Sequence, residues 1–568
     1  MTNRRDFVKA AAAAAVSAIP SAASAGQAVS VVRANSQNTN SQNSDLLRPP
    51  DHVTARFGPR TVVKMQYSAR AWTCPGTRVS AEPQTGHGSE LPIRVTNEGR
   101  NLTHLQIRWE SKRSEGLLSI GDAWERSYGD LEWRATVPER VMPWYFLTFD
   151  GERTHGYGVK TQPSAFCFWQ LDTEGITLTI DLRNGGEATE LGTRELLACT
   201  VVMRMGAKGE TIWRAGQEFC KLMSPNPRLP KESIFGINDW NYAYGKNTSS
   251  GILRDADLVA SLAPAGSVRP LAVIDDGWQD PARFPSMPDL ASQIRKRRLR
   301  PGLWIRPLRA EATAPASWLL PDNRFGKGAP HDNLAFDPTN PAALDEAMKT
   351  VRTTVQWGYE FIKHDFTTYE LLGRWGSAMH AETVSPGWHF HDRSRTNAEI
   401  IRDLYQAIRS AAGETIILGC NTVGHLAAGL FESQRIADDT SGHDWERTRR
   451  FGVNGLSHRI AQHRTFSHID PDCVAITSDV GWRETSQWMD VVARSGTSLF
   501  FSPAPAAVTP EIKSAMKDAL LLSSQGSSGS PLHPTRGTTP TEWQFSSPRR
   551  VEKTYDWCSS EGVSPFDV

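Results

Sequence analysis

A chain of 568 residues is long enough for two to four domains and for a sizeable buried core. Its 63 Lys and Arg balance 62 Asp and Glu, and 39% of its residues are hydrophobic, which excludes the basic excess of a nucleic-acid binder and the polar bias of a disordered chain. The balance points to a small or uncharged partner, and 19 Trp supply flat apolar faces that can fill a core or line a cleft for sugar rings.

The first residues combine Arg4-Arg5, Asp6, Phe7 and Lys9 with an Ala-rich apolar stretch and the small residues Ala23-Ser24-Ala25. This layout predicts a twin-arginine export signal over residues 1–25 and a periplasmic or secreted mature protein. No later run supplies the roughly 20 consecutive apolar residues of a membrane span. Residues 26–51, with "NSQNTNSQNSD", read as a disordered linker. From 52 to 229, short alternating runs such as "RTVVKMQYSA", "HLQIRWES", "WYFLTFDG" and "ITLTIDLRN" predict antiparallel strands in a β-sandwich. A Pro-punctuated stretch, Met223 to Ser233, marks its end.

Beyond it the pattern changes. Eight strand-like runs ("IFGINDW", "LAVIDDGW", "PGLWIRP", "YEFIKHDF", "TIILGC", "ESQRIADD", "CVAITSD", "TSLFFSP") alternate with helix-length segments, which predicts a (β/α)8 TIM barrel over residues 230–525. Residues 526–568 form a short C-terminal β segment. The seven Cys show no paired short spacing, so no zinc ribbon or redox motif is offered, and an odd count leaves at least one free thiol in a monomer.

Several strand runs end in polar or charged residues: Asp239-Trp240, Asp275-Asp276, Arg306, Lys363 and Asp365, Cys420, Asp438-Asp439, and Ser478-Asp479. In a parallel barrel these ends meet at one mouth, where active sites sit. Helix capping accounts for a single carboxylate there, but it does not favour Lys, Cys and paired Asp together. No Gly-rich phosphate loop and no His pair at ligand spacing accompanies them, so neither a dinucleotide cofactor nor a metal is implied. Two carboxylates in opposite protonation states are the apparatus of glycoside hydrolysis, at roughly 5 to 5.5 Å for a retaining pair. Lys363 lies two residues from Asp365 on the same side of a strand, which predicts that its ammonium holds Asp365 ionised.

The ordered set "LAVIDDGWQ", "GLWIRP", "FDPTNPAALDEAM", "FIKHDF", "ILGCNTVGHLAAGLFESQRIADDTS" and "HIDPDCVAITSD" resembles the melibiase-type α-galactosidases, the retaining glycoside hydrolases of families 27 and 36, over most of residues 234–503. A large β-domain ahead of the barrel is similar to family 36. The resemblance implies Asp365 as nucleophile and Asp439 as acid/base. It implies Arg435 near the sugar 2-hydroxyl, Asp275 and Asp276 on the 4- and 6-hydroxyls, Lys363 on the 3- and 4-hydroxyls, Cys420 near carbon 2, and Trp240 and Trp304 lining the pocket. The implied partner is a galactose-containing oligosaccharide or polysaccharide, and an oligomer is compatible with it.

Alternatives stand beside these roles. Asp438 could be the acid with Asp439 a helix cap, Asp479 could be the second carboxylate, Asp276 could only cap, and Cys420 could be a small core residue. Asp470 and Asp472 read as shaping a loop around Pro471. Arg306 and Pro503 depart from the family pattern, and the C-terminal segment is shorter than the family's usual β-domain, reduced or truncated. At the level of function, α-N-acetylgalactosaminidase or α-galactosyl transferase activity remains open, as does a catalytically silent carbohydrate-binding protein.

Overall fold

A computed structural model of the chain describes residues 46–83, 90–99, 101–113, 116–266, 268–326, 333–546 and 549–558. The export signal and all but the last residues of the linker lie outside the described residues.

The N-terminal region is built from two antiparallel sheets, of six and nine strands. The six-stranded sheet has at its centre Leu102–Glu110 between His52–Phe57 and Gly175–Asp181. Alternation puts Leu105, Ile107 and Trp109 on one face, all fully buried, because successive side chains leave a strand on opposite sides. The run "RTVVKMQYSA", expected as one strand, divides into Thr61–Lys64 and Gln66–Ser68, which belong to different sheets. Buried Met65 sits at the break and donates its N–H to Val53 O at 2.9 Å. The 12-residue helix Ile212–Met223, capped by Thr211, then leads out of the antiparallel region.

Nine strands after it form one all-parallel sheet: β1 (Phe235–Asn238), β2 (Leu271–Ile274), β3 (Arg300–Ile305), β4 (Phe361–His364), β5 (Ile416–Gly419), β6 (Ser433–Arg435), β7 (His468–Asp470), β8 (Cys473–Ile476) and β9 (Leu499–Pro503). Their order is β7-β6-β5-β4-β3-β2-β1-β9-β8. The two edge strands, β7 and β8, are consecutive in the chain and separated only by Pro471 and Asp472. Pro471 cannot donate to a ladder, and Asp472 takes a positive φ of 77°, so the chain breaks there and its two halves pair with different neighbours, β6 and β9.

Most connections carry a helix, among them Ser249–Leu262, Met287–Lys296, Pro341–Gln356, Asn397–Ala412, Trp482–Ser495 and Pro510–Ser524. A capping box between Thr396 and Glu399 opens one of them. The β5 to β6 connection is shorter, with only the four-residue helix Gly424–Ala427. One apolar core runs from Val53 and Trp109 through Phe219 to Ile362 and Leu404, so the antiparallel region and the parallel sheet are packed as one body. A small three-stranded sheet, Gly529–Pro531, Glu542–Phe545 and Val551–Thr554, closes the described chain; Trp543, Phe545, Tyr555 and Trp557 join the core around Trp488 and Met489.

Candidate active site

Strand alternation decides which β4 side chains reach the site. Lys363 and Asp365 leave on one side; His364 leaves on the other, where its ring meets Tyr405 and Phe431 edge-on. Asp365 is 1% exposed. Its Oδ2 accepts the Trp304 Nε1–H at 2.9 Å and its Oδ1 accepts the Phe366 N–H at 2.8 Å. Phe366 reaches that position with φ of 69°, a left-handed conformation costly for a side chain of its size.

Lys363 Nζ reaches past β3 to the end of β2, where it donates to Asp275 Oδ2 at 2.6 Å. The same oxygen accepts Asn238 Nδ2 at 3.0 Å, so the ends of β1, β2 and β4 are tied together. Asp239 lies beneath them, accepting the Asp275 N–H at 2.8 Å and Asn247 Nδ2 at 3.0 Å. Burial, with Asp275 beside it, pushes the Asp239 carboxyl up to about 7. Because the fold raises this value, the folded state holds an extra proton between about pH 4 and 7, and stability falls as pH rises through that window. Asp239→Asn is therefore expected to flatten the decline of Tm between pH 5 and 8 relative to the parent, measured by thermal scans; parallel curves would rule it out.

At the end of β6 the guanidinium of Arg435 faces three carboxylates. Nε donates to Asp470 Oδ2 at 2.9 Å, one terminal nitrogen to Asp439 Oδ1 at 3.1 Å, and the other lies 2.7 Å from Asp472 Oδ1. Burial opposes this charge, but Asp472, Asp470 and Asp439 outweigh it and hold the group well above its ordinary value. Asp470 and Asp472, expected only to shape a loop, are thus the anchors of Arg435. Cys420, fully buried after β5, lies within the field of four of these groups. Burial and Asp365 push its thiol up to about 12, with Arg435, Lys363 and Asp439 also in its field. The thiol is neutral at working pH, and both Asp365 and Asp439 act on it electrostatically.

The remaining sequence candidates sit at the edge of this network. Asp276 is half-buried and folds back on its own turn, accepting the Gly277 N–H at 2.9 Å and Gln279 Nε2 at 3.2 Å. Trp240 meets Tyr244 edge-on, and the Tyr244 hydroxyl accepts the Gly442 N–H at 3.2 Å in the segment after Asp439. Asp438 binds Arg126 at 2.8 Å and Arg447 at 3.0 Å. Asp479, the rival second carboxylate, is about half exposed and bonded to His443. Arg306 pairs with buried Glu370 at 2.7 Å and lies over the Phe366 ring at 4.2 Å.

The sequence matches no protein-family model and no curated protein. Solved structures do match. TtGalA, the α-galactosidase from Thermus thermophilus in complex with p-nitrophenyl α-D-galactopyranoside, aligns with 84% of this chain and 97% of its own, at TM-score 0.58 and 19% identity. The GH36 α-galactosidase AgaB from Geobacillus stearothermophilus aligns with 89% of this chain and 79% of its own, at TM-score 0.58 and 13% identity. AgaA from the same organism gives 88% and 77%, at TM-score 0.54 and 15% identity. The chain has the fold of the GH36 α-galactosidases. The resemblance drawn from the strand-end motifs thus extends to the fold, over 84 to 89% of the chain.

That region also supplies residues that sequence reading missed. The segment Asp122–Tyr128 of this GH36-like fold lies against the end of β6, where Arg126 reaches both Asp438 and Asp439. Glu125, fully buried, accepts the Gly376 N–H at 2.8 Å and also bonds Tyr128 and Asn421. The one signal in the sequence is the pair of charges inside the aromatic run "AWERSY".

Proposed function

We propose that the chain is an exported retaining α-galactosidase that removes terminal α-linked galactose by double displacement. The reading takes the two antiparallel sheets as a β-sandwich domain. It takes the nine parallel strands as a closed (β/α)8 barrel whose seventh strand is broken at Pro471-Asp472. The export part rests on the twin-arginine layout of residues 1–25. The observation that carries the proposal is the pair of carboxylates at the ends of strands of one parallel sheet, Asp365 after β4 and Asp439, gripped by Arg435, after β6, in a fold shared with α-galactosidases; both act electrostatically on Cys420.

In the proposed reaction Asp365 attacks the anomeric carbon, the bond to the leaving oxygen breaks, and Asp439 gives that oxygen its proton. Water then attacks the galactosyl ester, Asp439 takes the proton, and Asp365 leaves as carboxylate, so two inversions return the α-anomer. A nucleophile of this kind must be anionic, and both Asp365 oxygens face N–H donors suited to a carboxylate. The Lys363–Asp275–Asn238 cluster offers donor and acceptor atoms for sugar hydroxyls, including the axial 4-hydroxyl that sets galactose apart from glucose. The purified protein is expected to hydrolyse p-nitrophenyl α-galactoside and to release α-galactose first, followed by proton NMR before mutarotation. Release of β-galactose would overturn retention. Hydrolysis of the α-N-acetylgalactosaminide alone, or of no glycoside in an aryl panel, would overturn the substrate or the activity itself.

A further inference from the structure

We propose that Arg126, carried by the antiparallel region, is a positioning residue for Asp439 and brings that region into the catalytic machinery. The inference rests on the reading of Asp439 as acid/base.

The backbone fixes the arrangement first. After the strand Leu118–Gly121 the chain runs along the end of β6, where Ser127 pairs with Ala437 as a single parallel bridge. The Ser127 N–H donates to Ile436 O and the Asp438 N–H to Ser127 O, both at 2.9 Å. Arg126 and the Asp438-Asp439 pair are thereby held in register although more than 300 residues separate them in the chain. The side chain is 5% exposed. One terminal nitrogen lies 2.8 Å from Asp438 Oδ1 and the other donates to Asp439 Oδ1 at 3.4 Å. That Asp439 oxygen is also the one Arg435 grips, so two guanidinium groups fix the carboxylate from two directions. Arg126 is itself oriented by the rings of Trp375, at 5.4 Å, and Tyr128, at 5.6 Å. Glu125 ties the same segment to the loops after β4 and β5 through Gly376 and Asn421.

Arg435 is divided among three carboxylates, whereas Arg126 addresses only the Asp438-Asp439 pair in its ion pairs. The charged and titratable groups around Asp439 include Arg126, Arg435 and Arg447, which donates to the Asp439 carbonyl at 2.8 Å, together with Asp438, Cys420 and Tyr244; Asp470 and Asp472 share its Arg435, and Asp365 acts on the same Cys420. Removing Arg126 subtracts one cation from this set. A carboxyl that loses a neighbouring cation keeps its proton to higher pH, so the alkaline limb of an activity profile that depends on a protonated Asp439 must move upward.

The test uses Arg126→Gln and Arg126→Lys in the full chain, with kcat and KM measured on 2,4-dinitrophenyl α-galactoside, whose leaving group needs no proton, and on stachyose, whose leaving group does. Arg126→Gln is expected to lower kcat on stachyose about 10- to 100-fold. It should spare kcat/KM of the dinitrophenyl substrate, whose galactosylation needs no acid, while kcat on that substrate falls with the base-assisted second step, and it should shift the alkaline limb for stachyose upward. Arg126→Lys keeps a cation that cannot bridge two carboxylates, so it should hold the limb near its parental position with part of the kcat loss, and it carries the comparison if the Gln variant fails to fold. Equal losses in kcat/KM on both substrates with an unmoved limb would overturn the proposal and leave Arg126 a structural residue. Asp439→Ala separates the two levels: if that variant shows no dependence on leaving group, the acid/base reading itself fails, whatever Arg126 does.

Discussion

Asp365→Ala is expected to abolish turnover of α-galactosides, with kcat falling about 10⁴-fold or more, as when the nucleophile of a covalent mechanism is removed. Azide then gives the more decisive result. With an activated aryl α-galactoside it can fill the space left by the carboxylate and attack the anomeric carbon once, giving β-galactosyl azide. Asp439→Ala would form the galactosyl ester on Asp365 and pass it to azide with a second inversion, giving α-galactosyl azide. Opposite anomers from the two variants, identified by NMR, are the expected outcome; the same anomer from both, or parental rates in Asp365→Ala, would remove Asp365 from the mechanism. The local backbone supports this sensitivity. Phe366 stays in its left-handed conformation because Asp365 N–H is bonded to Ile305 O, Phe366 N–H to Asp365 Oδ1, and Glu370 N–H to Phe366 O. Strain of this kind persists only where surrounding bonds over-determine it.

The parts of the site written in the sequence are those set by local periodicity. A short strand-like run that ends in polar or charged residues places Asp365, Asp275 and Cys420 at strand ends without knowledge of any neighbour. What the sequence could not carry is register. Lys363 faces the same side as Asp365, which local alternation predicts, but its bond to Asp275 is not legible there, because that carboxylate belongs to β2, beyond the intervening strand β3. Asp470 and Asp472 flank a proline and read as turn formers; only the pairing of Arg435 with Asp470 across β6 and β7 shows that they hold a guanidinium. Arg126 and Glu125 are further from reach, since a contact over some 300 residues leaves no periodic trace. The break of "RTVVKMQYSA" into strands of two different sheets has the same origin: alternation marks the residues that extend, and the partner strands decide where each piece goes.

The largest effect on stability is expected from Arg435→Met. The side chain is 2% exposed and is the common partner of Asp439, Asp470 and Asp472, at 2.7 to 3.1 Å. Asp439 retains Arg126, but Asp470 and Asp472 would lose the cation that lies between them. Breaking a buried pair by removing one member typically costs about 3–5 kcal/mol, because a charge is left without compensation. In a chain of this size that corresponds to a fall in Tm of about 3 °C. The pH dependence distinguishes this cause from lost packing. Burial already raises Asp470 against the opposing pull of Arg435, and without Arg435 it rises further. A carboxyl raised in the fold destabilises at pH above its unfolded value and ceases to do so as it takes up a proton. The deficit of the variant is therefore expected to narrow as pH falls from 8 toward 5. Adding Asp470→Asn to Arg435→Met should recover part of the loss, since it removes an orphaned charge, although the same substitution alone in the parent is expected to destabilise. A deficit independent of pH, or a double variant whose loss is the sum of the two singles, would show that Arg435 acts by filling space and not by its charge.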